Sequence, residues 1–282
     1  MRCQWRAFIN LVPPRLRDTV DMVGKEKLLE LRLRIGQQPE LVMIDHSVWL
    51  KEIVTNHDIH FCLNVATQYS PWSANGIRQG YIAAPGGHRL GICGSAVIVD
   101  GKCSGISSAS SVCIRVARDI PDISKDLSTL SGSILVIGPP GSGKSTLLRD
   151  LIRNYSNAGR GSVAVVDERG ELFPYFHNEN CFPTGARTDV MTGCTKKEGI
   201  TMLLRSMGPA VIAVDEITAE EDCQALLLAG WCGVHLFATA HAANYADLTK
   251  RAVYKPLLDK GLFDYFVVLH KDKSWKLERI AE

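Results

Sequence analysis

The stretch that most constrains this fold lies mid-chain, where an apolar strand pattern gives way to a helical pattern across a glycine-rich loop. Ile134–Ile137 is a short run rich in β-branched residues, typical of a strand that a parallel sheet buries on both faces. A helical pattern begins near Gly143, with apolar residues recurring on one side. Between them lies Gly138-x-x-x-x-Gly143-Lys144-Ser145, the spacing of a phosphate-binding loop. The sequence therefore predicts that the chain binds a nucleoside triphosphate.

Each residue type in this loop has a physical role in holding phosphate. Glycines let backbone N–H groups turn toward phosphate oxygens, and the following helix N-terminus adds partial positive charge. Lys144 is the expected cation for the β- and γ-phosphates, and the Ser145 hydroxyl is the expected Mg²⁺ ligand. The predicted nucleotide-binding set is the whole loop: Gly138, Pro139, Pro140, Gly141, Ser142, Gly143, Lys144, Ser145 and Thr146.

Composition and net charge limit the classes of molecule that this chain is expected to bind. The chain has 282 residues, 46% of them hydrophobic, and a net charge of +2, which favours neither nucleic acid nor a membrane surface as a direct partner. Its nine cysteines form no Cys-x-x-Cys pair, which fits reduced thiols in a cytoplasmic protein. The N-terminus lacks a signal-peptide core, and no apolar run is long enough for direct membrane insertion. We expect a cytoplasmic protein that partners hold at a membrane.

The order of elements predicts two domains. Residues 1–118 combine helical segments, one at 13–23, with antiparallel-looking strands, which indicates a smaller α+β domain. A polar, proline-containing segment begins at Asp119, and residues 119–282 then alternate strand and helix, with a last helix expected at 246–258. Such alternation predicts an α/β domain: a parallel sheet with helices on both faces and the phosphate loop at its carboxyl edge.

Two predicted strands end in an Asp-Glu pair, Asp167-Glu168 and Asp215-Glu216. An acid at a strand tip beside the phosphate loop suits Mg²⁺, and a glutamate directly after it suits orienting or deprotonating a water. The pattern favours Asp215 and Glu216, because their strand is more apolar and precedes another strand with a polar tip. Glu216 at the start of a plain surface loop is the alternative.

That polar tip carries His241, and a separate glycine-flanked polar loop carries Arg187. By spacing alone, His241 fits a phosphate contact or a core histidine equally well. Arg187 fits an anion contact or a solvated surface position equally well. The segment 185–189 shows neither helical nor strand period.

Several segments together resemble the secretion, or traffic, ATPases, which are RecA-like hexameric motors of type II and type IV secretion systems. After the phosphate loop these segments are Val-Val-Asp-Glu-Arg-Gly-Glu-Leu (165–172), Gly-Ala-Arg-Thr-Asp-Val (185–190), Val-Ile-Ala-Val-Asp-Glu-Ile (211–217) and Ala-Thr-Ala-His-Ala-Ala-Asn (238–244). The chain is most similar to a sporulation family of endospore-forming bacteria, which also shares Gly-Gly-His-Arg-Leu-Gly-Ile-Cys-Gly (86–94) in the first domain. The resemblance covers nearly the whole chain.

The resemblance implies roles residue by residue. Glu168 falls in a segment matching the Asp box, Glu216 matches the catalytic Walker B glutamate, and His241 matches the His box. Asp215 departs from many of these relatives, which carry glycine before the glutamate. The resemblance also implies ATP as the nucleotide, a homo-hexameric ring, and an arginine that reaches the γ-phosphate. The candidates by location are Arg89, Arg115 and Arg118.

These expectations combine into one functional hypothesis. It is a Mg²⁺-dependent ATP-hydrolysing motor in endospore formation, with membrane proteins of a secretion-like complex as partners and Glu216 positioning water. Two alternatives stay open. One is an ATP-loaded assembly platform with incidental hydrolysis, and the other is a nucleic-acid-dependent RecA-like ATPase, for which the chain shows no basic track.

Overall fold

The structure, a computed structural model, describes residues 1–69, 80–176 and 179–279, and these residues form two compact units. The first unit comprises Met1–Arg118 and Pro174–Cys181, and the second comprises Asp119–Phe173 and Phe182–Glu282. The segment 174–181 therefore groups with the first unit although the second unit flanks it in sequence. The sequence of these eight residues does not predict this assignment, because hydrophobic periodicity can be read only over longer runs.

The described residues of the first part of the chain form one antiparallel sheet with three α-helices. The helices are α1 (Trp5–Leu11), α2 (Arg17–Val23) and α3 (Asn56–Ala66), and the strands are β1 (Leu28–Arg34), β2 (Glu40–Met43), β3 (Ser47–Trp49), β4 (Tyr81–Ala83), β5 (Arg89–Val99) and β6 (Lys102–Arg115). The strand order is β3-β2-β1-β6-β5-β4. Alternate strand residues such as Leu31, Leu33 and Ile114 are buried with helix residues such as Phe8 and Ile59 in one core, so the helices cover one sheet face.

The rest of the chain alternates strands and helices. Its elements are β7 (Ile134–Gly138), α4 (Lys144–Asn157), β8 (Val163–Asp167), β9 (Tyr175–Phe176), β10 (Glu179–Asn180), β11 (Thr188–Thr192), α5 (Lys196–Ser206), β12 (Val211–Val214), α6 (Glu220–Trp231), β13 (His235–His241), α7 (Tyr245–Thr249), α8 (Lys255–Asp259), β14 (Tyr265–Leu269) and β15 (Trp275–Arg279). Strands β9 and β10 form a separate two-stranded ribbon. The others form a seven-stranded sheet in the order β11-β8-β12-β13-β7-β14-β15.

All neighbouring strands of the seven-stranded sheet are parallel except β14 and β15. Its central strands are buried on both faces, which explains their unbroken apolar sequences. On β7, Leu135 and Ile137 join a core that includes α5 and α6, whereas Ile134 and Val136 join a second core that includes α4. Helices therefore cover both faces, as the alternation predicted.

Some expectations about local structure are wrong. The helix expected at 246–258 is two short helices, α7 and α8, because Arg251 is extended between them and Pro256 has no N–H for a continuous helix. The helix expected at 13–23, by contrast, is confirmed as a helical segment, with a 3₁₀ turn over Pro14–Leu16 followed directly by α2; α1 precedes it. Thr188 and Asp189, in the segment interpreted as a loop, begin strand β11, whose half-exposed edge position hides any apolar period.

Candidate functional site

The parallel strands bring the predicted acids and His241 to one edge of the sheet. The register places His241, the last residue of β13, directly opposite Gly138, the first residue of the phosphate loop. Val214, the last residue of β12, lies opposite Ala238 of the same strand β13. Because carboxyl ends of parallel strands share an edge, Asp215 and Glu216 emerge beside the loop.

The phosphate loop contains three positions that favour glycine, two through their backbone conformation and one through lack of space for a side chain. Gly141 and Gly143 have φ of +72° and +102°, which favour glycine. A Cβ on Gly138 would lie 2.6 Å from the Ser142 hydroxyl oxygen and 2.8 Å from the Leu269 carbonyl oxygen. The loop then enters α4, where Lys144 is the first helical residue.

Lys144 is buried, with 6% of its surface exposed. Its Nζ donates to the carbonyl oxygens of Gly138 (3.0 Å) and Pro139 (3.1 Å) and lies 3.0 Å from His241 Nδ1. Burial lowers the pKa of Lys144, and the nearby carboxylates of Asp215 and Glu216 oppose that shift. The ammonium group is thus desolvated, and its hydrogen-bond partners are two backbone carbonyls and a ring nitrogen rather than a carboxylate.

His241 links the lysine to Glu216. Its Nε2 lies 3.1 Å from Glu216 Oε1, while Nδ1 faces the Lys144 ammonium. The neutral tautomer with hydrogen on Nε2 satisfies both contacts, since Nδ1 then accepts and Nε2–H donates. The other Glu216 oxygen lies 3.3 Å from an Arg169 guanidinium nitrogen. Lys144, His241, Glu216 and Arg169 therefore form one continuous polar chain.

Thr239 anchors the segment that carries both acids. Its hydroxyl accepts from the Glu216 backbone N–H (2.7 Å) and donates to Asp215 Oδ1 (2.5 Å), while its carbonyl accepts from the Ile217 N–H (2.9 Å). Tyr254 adds a bond from its hydroxyl to the Ile217 carbonyl. Glu216 has φ +49°, an uncommon left-handed conformation for a non-glycine residue, which these bonds hold. Thr239 was not among the site residues identified from the sequence. The feature that could have identified it is a hydroxyl side chain within an otherwise apolar, buried strand.

The other Asp-Glu pair has different contacts. Asp167 is buried and accepts backbone N–H groups of three residues in the following loop: Glu171, Leu172 and Phe173. Burial raises the pKa of Asp167, and these three amides oppose the rise. Glu168 forms an ion pair with the buried Lys196 at 2.6 Å. The contacts of this pair therefore hold a loop and the start of α5 rather than the Lys144–His241–Glu216 chain.

Arg187 is not brought together with these residues. It precedes β11, at the amino edge of the sheet, where its side chain bonds the Gly159 carbonyl at 3.4 Å and its carbonyl pairs with Val163. The phosphate loop lies at the opposite, carboxyl edge. The geometry of this chain therefore gives Arg187 no part in the cluster around Lys144.

The three arginines considered in the first unit have contacts inside that unit. Arg89 stacks over the Tyr81 ring, with its guanidinium carbon 4.0 Å from the ring centroid. Arg115 pairs with Glu30 at 2.9 Å, and Arg118 donates to the carbonyls of Lys25 and Leu28.

Two further observations bear on metals and membranes. Within 1–69, 80–176 and 179–279, no group of three or more His, Cys, Asp or Glu side chains has the geometry of a metal site. Among the helices in these same ranges, none is both long and apolar enough to cross a membrane.

Comparison with solved structures identifies the fold. The Legionella pneumophila ATPase DotB matches with a TM-score of 0.60 and 16% identity, covering 95% of this chain and 80% of DotB. The pilus retraction motor PilT with bound ADP matches with a TM-score of 0.61 and 15% identity, covering 94% of this chain and 83% of PilT. The predicted fold class is confirmed: a RecA-like P-loop domain with the fold of these two proteins, preceded by a smaller α+β domain.

Sequence comparison then gives the family. The model of the family described as Sporulation stage III, protein AA, matches residues 7–279. Stage III sporulation protein AA of Bacillus subtilis (strain 168) is 34% identical over 280 residues, covering 94% of this chain and 91% of the relative. The chain belongs to this sporulation family, and the resemblance found in the sequence is confirmed.

Proposed function

We propose that this chain is a Mg²⁺-dependent ATP-hydrolysing motor that acts in endospore formation. The observation that carries the proposal is Lys144, a buried ammonium in a phosphate-binding loop, held by neutral acceptors and connected through His241 to Glu216. A buried cation is costly unless an anion compensates it, and phosphate is the anion for which such a loop is shaped.

The loop fits a nucleotide by further criteria. The Ser142 hydroxyl is buried and has no hydrogen-bond partner among the described residues, so it is available to a ligand oxygen. The close approach at Gly138 excludes a side chain there, and the left-handed Gly141 and Gly143 let the loop backbone turn toward phosphate oxygens.

Ser145 and Asp215 are the residues that would hold Mg²⁺. This fits an ion that usually takes only one or two protein ligands and keeps phosphate and water for the rest. When bound, the ion would neutralise charge developing on the phosphates. Asp215 suits this role because Thr239 holds one of its oxygens and thereby fixes the direction of the carboxylate.

Residues of the chain itself would bind the phosphates and position the attacking water. Lys144 would exchange its carbonyl and His241 contacts for phosphate oxygens, because charge-assisted hydrogen bonds are stronger than neutral ones. His241 would then donate its Nε2–H to the γ-phosphate in place of the Glu216 carboxylate. Glu216, with its backbone fixed by Thr239, would orient and deprotonate the attacking water. Glu168, matched to the Asp box, is the second candidate for ordering water.

A ring is the proposed assembly. The matching structures include a pilus retraction motor and an ATPase, and the family is a sporulation family. We therefore propose a homo-hexamer at the cytoplasmic face of a membrane, held by membrane proteins of a secretion-like complex. An arginine from another subunit would complete each site, with Arg89, Arg115, Arg118 and Arg187 as candidates.

Two variants test the catalytic proposal. Glu216→Gln should bind a fluorescent ATP analogue as the unaltered protein does but release phosphate ~10²–10⁴-fold more slowly, the usual cost of losing a general base. Lys144→Ala should lose binding by roughly ten- to a hundredfold, since charge-assisted hydrogen bonds contribute ~1.5–3 kcal/mol. Normal turnover in Glu216→Gln would transfer the catalytic role, first to Glu168, and unchanged binding in Lys144→Ala would refute the phosphate site.

The same Glu216 variant separates a motor from an ATP-loaded platform. If Glu216→Gln restores sporulation in a strain that lacks the protein, hydrolysis is dispensable and the platform explanation replaces the motor. Turnover that rises on addition of DNA or RNA would instead favour a nucleic-acid-dependent ATPase.

A further inference from the structure

The turn between β14 and β15 lies beside the phosphate loop. Strand β14 pairs with β7, with Val268 opposite Ile137, so the ends of both strands share the carboxyl edge. The close approach between Gly138 and the Leu269 carbonyl joins the first loop residue to the last residue of β14. The five residues that follow, 270–274, are therefore neighbours of the loop, although more than a hundred positions separate them in sequence.

This turn has a defined shape. The His270 N–H donates to the Ser274 carbonyl at 2.9 Å, and the Lys273 N–H donates to the His270 carbonyl at 3.1 Å. Asp272 Oδ1 accepts from both the backbone N–H (3.0 Å) and the hydroxyl (2.6 Å) of Ser274. Lys273 has φ +72°, so the turn holds it in a left-handed conformation that lysine seldom adopts.

The Lys273 side chain crosses to the phosphate loop. Its Nζ donates to the Gly141 carbonyl oxygen, and a Cβ on Gly143 would lie 4.0 Å from Lys273 Cδ. The aliphatic part of the lysine thus lies along the loop, and its charge is at the loop apex. Asp272, the nearest acid in sequence, has one oxygen occupied by Ser274.

An exposed ammonium bonded to a neutral carbonyl is held weakly, because water competes for both groups. A phosphate oxygen is a stronger partner, since both members of the pair are then charged. The lysine has rotatable bonds to move from the carbonyl to such an oxygen while its backbone stays in the turn. Its position would place a second cation at the loop, from an element unrelated to the phosphate-loop motif.

We propose that Lys273 is a second nucleotide-binding lysine, which contacts phosphate oxygens from the β14–β15 turn. This inference rests on the proposed nucleotide function of the loop. It adds a phosphate contact from the same subunit, besides Lys144 and besides any arginine supplied by a neighbour.

The test compares Lys273→Met with Lys271→Met in the full chain. Methionine keeps most of the aliphatic stem and the Cβ, so the backbone strain at position 273 is unchanged. Lys271 is an exposed lysine of the same turn, and its replacement alters the net charge equally. Fluorescent ADP and a non-hydrolysable fluorescent ATP analogue are titrated into each protein at low and high salt.

We expect Lys273→Met to raise the Kd for both nucleotides about tenfold at low salt, equal to ~1.4 kcal/mol, and by less at high salt, because salt screens exposed charges. Lys271→Met should change the Kd by less than twofold. Equal effects of the two substitutions would overturn the inference. A loss for Lys273→Met that is the same at both salt concentrations would also overturn it, because that result indicates a role in holding the loop.

The Lys144→Ala variant separates this inference from the function on which it rests. Failure of the unaltered protein to bind either nucleotide would refute the proposed function itself. Binding that depends on Lys144 but not on Lys273 would leave that function in place and remove only the second lysine.

Discussion

Replacing Thr239 with valine removes the hydroxyl that anchors both acids while keeping the size and branching of the side chain. Thr239 has no exposed surface, so water cannot replace the lost bonds. The bond donated to the Asp215 carboxylate contributes ~1.5–3 kcal/mol and the bond accepted from the Glu216 N–H about 1 kcal/mol. The second unit should therefore lose about 2–4 kcal/mol of unfolding free energy, a fall in Tm of roughly 5–15 °C for a unit of its size.

The substitution should also release the backbone of Glu216. Its left-handed conformation costs about 1–3 kcal/mol and persists because the surrounding contacts enforce it. Without the Thr239 hydroxyl, the Glu216 amide should exchange its hydrogen faster, and the carboxylate should leave its position. A displacement of ~1 Å can cost about a hundredfold in rate, so turnover should fall while nucleotide binding by the loop is retained.

Thr239→Ser is the matched control, because it keeps the hydroxyl and removes only a buried methyl group, at a cost of about 1 kcal/mol. Calorimetric unfolding measures the Tm, and hydrogen exchange followed by mass spectrometry measures protection of peptides containing 215–217. If the valine variant melts like the serine variant and its peptides stay equally protected, Thr239 does not anchor this segment.

Two further predictions concern stability away from the loop. His88 is buried between the Gln4 carbonyl and the Ala117 N–H, and burial lowers its pKa to about 4. Unfolding therefore takes up a proton below pH ~6.5, so the free energy of unfolding should fall by about 3 kcal/mol between pH ~6.5 and ~4. The His88→Gln variant should lack this pH-dependent loss. If the free energy of unfolding depends on pH in the same way in both proteins, the prediction is wrong. Asp150 is buried and accepts from Ser124, Arg153 and the Asp122 N–H. Asp150→Asn should cost ~3–5 kcal/mol and expose the amides of 122–124 to exchange, whereas a Tm within 2 °C of the unaltered protein would argue against it.

Local pattern predicted much of the second unit. The phosphate loop, the buried strands around it and the alternation of strands and helices are written in runs of five to fifteen residues, over which period and turn chemistry are informative. The hairpin of β5 and β6 is likewise locally encoded, because Asp100 and Gly101 between the two strands both have positive φ, as the tightest hairpin turns require. The helical pattern was misleading at 246–258, where the extended Arg251 and Pro256 interrupt the helix.

The roles of the charged residues depended on contacts between distant segments. The pairs Asp167-Glu168 and Asp215-Glu216 are nearly alike in sequence, each following an apolar strand. In the structure Asp167 is surrounded by backbone amides and Glu168 is paired with Lys196, while Glu216 reaches His241 and, through it, Lys144. The sequence favoured Asp215-Glu216, but it could not show which groups Asp167 and Glu168 contact.

By itself, then, the sequence determined the phosphate loop, the fold class and the presence of acids at strand ends, because local period and spacing encode these features. Strand order and register were decided only by the tertiary structure, since they depend on which apolar faces are buried together across the chain. That packing put β13 between β12 and β7 and set His241 opposite Gly138. It also brought Lys273 to a loop far from it in sequence.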